Sequence, residues 1–127
     1  MPVTYRIDAE RRRILTRCDG ETTLREVLAQ FDELEADPEC PPGADVLLDL
    51  SGMASTPNVG QVRSAAERTG AAARRVRFGA CAVVAASPTI FGMARVFETF
   101  SEPHFTRTHV FRSREAAEAW LDAPGTH

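Results

Sequence analysis

Three observations predict an α/β fold built on one mixed sheet. Strand-like runs alternate with helix-like periodicity along the chain, and helix-start signals precede most of the helical stretches. Two runs, at 46–50 and 80–86, are apolar almost without interruption, as central strands covered on both faces must be. The resulting order is β-β-α-β-α-β-α-β-α: an N-terminal hairpin followed by β-α repeats with right-handed crossovers, giving a five-stranded sheet and four helices.

Each element has a local reason. Val3, Tyr5 and Ile7 alternate with polar residues, and Ile14, Thr16 and Cys18 do so again after a brief connection, which makes an antiparallel hairpin. Asp19-Gly20 breaks the second strand. Thr23-x-x-Glu26 then forms a capping box ahead of Leu24, Val27, Leu28, Phe31 and Leu34, whose spacing of three and four predicts a helix over about 22–36. Asp37-Pro38 and Pro41-Pro42-Gly43 end it in a loop. After the strand at 45–50, Thr56 or Asn58 with Pro57 opens a second helix reaching about residue 74. Its inward residues are Val59, Val62, Ala65, Ala66, Thr69 and Ala73, and their small size predicts close approach to the sheet. The fourth strand is 78–86, and Ser87-Pro88 starts a helix carrying Ile90, Phe91, Ala94, Phe97 and Phe100. A last strand is expected over 104–112. Ser113 caps a short helix whose Ala116, Ala117, Trp120 and Leu121 close the core. The domain is placed at 1–122, with 123–127 as a tail.

At 127 residues the chain fits one domain. Its net charge of −3 comes from 18 acids against 15 bases, every base being Arg, so nothing global draws it to nucleic acid or anionic lipid. The charge is unevenly spread, however. Between residues 21 and 50 Arg25 stands among acids, whereas residues 51–100 hold Arg63, Arg68, Arg74, Arg75, Arg77 and Arg95 against Glu67 and Glu98. An acidic first helix and a basic second helix suit a protein partner or self-association. Cys18, Cys40 and Cys81 are odd in number and widely spaced, which signals neither a disulfide framework nor zinc, and no metal or cofactor is expected. Arginines at 6 and 11–13 interrupt any apolar leader, and no run reaches the ~18 apolar residues of a membrane span, so a cytoplasmic location without integral membrane association is expected.

In an open α/β sheet, chemistry belongs at the carboxyl ends of the parallel strands. That rim collects Ser55, Thr56 and Asn58 after the third strand and Ser87 after the fourth, a candidate anion or phospho-site at two helix N-termini, with Asp49 as a candidate supporting carboxylate. Plain helix capping explains the same residues. No nucleotide fingerprint, GxSxG or HExxH occurs, and His104 and His109 fall on opposite faces of the expected last strand, so no catalytic residue is assigned and the chain reads as non-enzymatic.

With this order of elements, the segment Val46-Leu47-Leu48-Asp49-Leu50-Ser51-Gly52-Met53 resembles the STAS fold of bacterial anti-sigma-factor antagonists. The closer resemblance is to the small SpoIIAA-like bacterial family, which is related to the lipid-binding CRAL-TRIO domains. It rests also on residues 3–8, on Phe91-Gly92-Met93-Ala94-Arg95-Val96-Phe97-Glu98, and on Val110-Phe111-Arg112 with Trp120-Leu121. In STAS antagonists a phosphorylatable serine opens the helix after this strand. The matching stretch here, Pro57-Asn58-Val59-Gly60, offers no hydroxyl, and Thr56 stands one or two residues early as the substitute. The resemblance implies a regulatory module that binds a protein partner or itself. Its CRAL-TRIO side implies instead a carrier or sensor of a small apolar or lipid-like ligand, with Phe91, Met93, Phe97 and Phe100 as the candidate pocket.

Overall fold

The computed structural model of the protein describes residues 2–123. The elements run β1 (Val3–Asp8), β2 (Arg13–Gly20), α1 (Leu24–Ala36), β3 (Ala44–Met53), α2 (Val59–Val76), β4 (Phe78–Val84), α3 (Pro88–Ser101), a 3-10 turn (Glu102–His104), β5 (Thr108–Phe111) and α4 (Arg114–Asp122). The five strands lie in chain order across one sheet. β1 pairs antiparallel with β2, and β2, β3, β4 and β5 pair parallel. The fold is therefore the mixed five-stranded α/β architecture that the sequence predicts.

Sequential strand order with right-handed crossovers places α1, α2 and α3 on the same sheet face, leaving α4 to cover the other. The pleat sorts the side chains accordingly. Leu47, Ala80, Ala82 and Val84 pack with Ala117 and Leu121 beneath α4. Ile14, Val46, Cys81 and Val83 face the three crossover helices. All seven residues of β4 are buried, the cause of its unbroken apolar run.

The helix starts follow the capping signals. Thr23 and Glu26 complete a capping box on α1, Asn58 and Gln61 complete another on α2, and Ser87 and Ser113 accept the N3 amides of α3 and α4. A bulge between Ala44 and Val46 has its own polar solution: buried Asp45 accepts the Ala80 amide at 2.9 Å through Oδ1.

Four expectations are corrected. The last strand is short, because Glu102-Pro103-His104 form a 3-10 turn in which proline's fixed φ and missing N–H fit the second position, where no intrahelical donor is needed. His104 is consequently on a turn rather than on a strand, and its ring lies against Gly70 of α2. β4 stops at Val84, two residues before the expected end. Val59 is not inward; at the first turn of α2 it is 46% exposed. Of the assigned tail, only Ala123 falls within the described residues.

Candidate functional site

The side of the sheet under α1, α2 and α3 is not fully packed. A cavity of about 150 Å³ lies there, floored by Val46, Leu48 and Leu50 of β3 and Cys81 and Val83 of β4, and roofed by residues of all three helices. Burial along β3 records it directly: Leu47, facing α4, is 0% exposed, while Val46, Leu48 and Leu50 on the helix side of this interior strand keep accessible surface. The space arises from small side chains at the roof. α2 offers Ala65 and Thr69 and α3 offers Ala94, side chains that leave part of the space above the sheet unfilled. Elsewhere on α2, Ala66 and Ala72 are buried, at 2% and 0% exposure.

Among the described residues, no charged one lines the cavity. Its polar groups are few, and one of them, on Gln30, is buried without a partner. Gln30 lies within the apolar stripe of α1, three residues after Val27 and four before Leu34, and is 6% exposed. Among the described residues its Nε2 has no hydrogen-bond partner. Thr69 is satisfied, donating to the Ala65 carbonyl at 2.8 Å. Two thiols complete the lining: burial pushes the Cys18 pKa up to about 12, helped by the negative charges of Asp19, Asp49 and Glu26, and burial raises that of Cys81 as well. Both are held as neutral apolar groups, not thiolates.

At the start of α1 and around the loop before α2, the lining residues Thr23, Leu24, Met53, Pro57 and Gln61 keep contact with solvent. Those two segments are stitched together. The Ala54 amide donates to the Gly20 carbonyl at 2.8 Å, the Thr22 amide donates to Ser55 Oγ at 2.9 Å, and Ser55 Oγ donates back to the Thr22 carbonyl at 3.2 Å.

The candidate anion-site residues are thus spent on local structure. Ser55 is the clasp between two loops; Asn58 and Ser87 accept the Gln61 and Ile90 amides of their own helices; Thr56 is exposed. Asp49 is 2% exposed but on the other face of the sheet, with Leu47. Its Oδ1 accepts from the Ser51 amide and hydroxyl at 2.9 and 2.6 Å, and its Oδ2 lies 3.9 Å from Arg17 and 3.7 Å from Arg114 at the start of α4. It does not join Ser55 and Asn58. Of the four candidate pocket residues, Met93 and Phe97 line the cavity. Phe91 and Phe100 turn aside, their rings covered by the guanidinium groups of Arg112 at 4.4 Å and Arg63 at 5.0 Å.

The opposed charges of the first two helices meet each other between α1 and α2. α1 and α2 are neighbours, and Arg68 pairs with Asp32 and Glu35, each at 2.9 Å, holding the Glu35 carboxyl below the usual range. Among the described residues no three His, Cys, Asp or Glu side chains gather as metal ligands, and no helix is long and apolar enough to cross a membrane.

Sequence reasoning missed Gln30, although its signal was present: a polar residue at the stripe spacing between Val27 and Leu34. The fold and this cavity define the chain as an α/β module with an internal apolar compartment. No family model matches the chain, and no curated protein matches it in sequence.

Proposed function

We propose that this chain is a STAS-like module of the SpoIIAA-like kind, a binding protein and not an enzyme, that carries or senses a small apolar ligand in the cavity beneath α1, α2 and α3. The cavity carries the reading: about 150 Å³ of apolar space, in a core whose other sheet face is closely packed. An apolar space of that size accepts a benzene-sized molecule. The N-terminal hairpin followed by β-α repeats agrees with the architecture the resemblance implies. A ligand-binding role is preferred to a partner-docking one because the acidic and basic helices are in part paired with each other through Arg68. The size also narrows the lipid-like expectation, since the space accommodates one ring or a short chain rather than a long acyl tail.

The test is a titration with benzene, followed by the methyl resonances of Leu48 and Val83 and by thermal unfolding. Binding shifts those methyls and raises the melting temperature, with about 2.7 kcal/mol of stabilisation at a hundredfold excess over Kd. Unmoved methyls together with an unmoved melting temperature would refute the reading.

A further inference from the structure

The cavity is not uniformly apolar, and its one discordant feature points to the chemistry of its occupant. Gln30 stands at a position where the α1 stripe calls for an aliphatic residue, is 6% exposed, and leaves Nε2 without a hydrogen bond among the described residues. A buried amide in that state is costly, and replacing it by an apolar side chain of similar shape would remove the cost. Its neighbours in the lining, Val27, Phe31 and Leu34, provide no acceptor side chain. The terminal torsion of a Gln side chain is broad, so the amide can turn towards the space it borders.

We infer that the ligand is a small uncharged molecule, with an apolar body about the size of one aromatic ring and one hydrogen-bond acceptor that Gln30 Nε2 binds. This rests on the cavity being the binding site. Size follows from the about 150 Å³ available. Neutrality follows from the lining: with no charged side chain in it among the described residues, a carboxylate or ammonium would be desolvated without a counter-charge. The acceptor follows from Gln30, whose unmet donor is satisfied when a carbonyl or ether oxygen arrives. The Thr16 hydroxyl, 7% exposed, also lines the space, a second polar group suited to such an oxygen.

Acetophenone and α-methylstyrene share one heavy-atom skeleton and differ in presenting C=O or C=CH2. Each is titrated into the wild-type protein and into Gln30→Leu and Gln30→Met, read by the methyls of Leu48 and Val83 and by the Gln30 side-chain amide. The expected result is that both probes move the methyls, that acetophenone alone moves the Gln30 amide, and that the preference for acetophenone falls about three- to tenfold in both variants. A preference unchanged by substitution would overturn the role of Gln30 while leaving the cavity a binding site. Failure of both probes to move the Leu48 and Val83 methyls would overturn both.

Discussion

Growing one side chain into the cavity distinguishes space from packing. Ala65 borders the void on α2, and the adjacent Ala66, 2% exposed, does not. Alanine and leucine are both strong helix formers, so Ala→Leu at either position leaves helix propensity nearly constant and reports what surrounds the new atoms. At about 24 cal/mol for each Å³, a void of about 150 Å³ withholds up to about 3.6 kcal/mol from the folded state. Three added carbons occupy part of it, so Ala65→Leu should stabilise the unliganded protein by about 1–2 kcal/mol, a rise of roughly 5 °C in Tm for a domain of this size. Ala66→Leu should cost about 1–3 kcal/mol by overpacking. Urea and thermal unfolding of the two variants measure both, and benzene should no longer stabilise Ala65→Leu. Equal destabilisation by the two substitutions would show that no usable space exists beneath α2.

Three further outcomes are expected. Ser55→Ala removes both side-chain hydrogen bonds to Thr22, at a cost of about 1 kcal/mol, and amide exchange at Thr22 should accelerate; unchanged exchange would mean that Ser55 does not hold the loops together. Tyr5, the single tyrosine, donates to Asp37 Oδ2 at 2.8 Å, and burial followed by that bond raises its pKa from 10.0 to about 12. Because the folded state keeps this proton longer than the unfolded chain, stability is level below pH 10 and falls as pH rises towards 12; tyrosinate absorbance should titrate near 10 in urea and near 12 in the native protein. A thiol-specific reagent should find Cys40, which is half-buried, in the native protein, and Cys18 and Cys81 only after unfolding, since burial closes off both.

How much of this was legible in the sequence depended on how local the cause was. Thr23 with Glu26, Ser87 before Pro88, and Ser113 each act within one helical turn, and each starts a helix where the pattern puts it. The apolar run at 46–50 likewise reports a strand covered on two faces. The end of the chain was harder, because Phe105 reads as strand by composition while Pro103 and a 3-10 turn delay the ladder until Thr108. The pocket was half legible. Periodicity puts Phe91, Met93, Phe97 and Phe100 on one helix, but only the three-dimensional crossing of α3 over the sheet decides that Met93 and Phe97 face inward while Arg112 and Arg63 cover the other two rings. A void leaves even less trace. An alanine in a helix stripe serves close packing and a bordering void equally well, and the neighbours Ala66, buried, and Ala65, on the void, show both cases.

The lopsided packing of the sheet also sets how the molecule responds to hydrostatic pressure. Unfolding abolishes internal voids and so reduces volume, by about 20–100 mL/mol in ordinary domains. A void of about 150 Å³ corresponds to roughly 90 mL/mol if wholly eliminated, near the upper end of that span. Pressure should therefore act first on the three-helix side, flooding or collapsing the space under α1, α2 and α3, while the layer between the sheet and α4 yields last. An occupant of the cavity would double as a piezoprotectant, making the compressibility of this protein a measure of whether it is loaded.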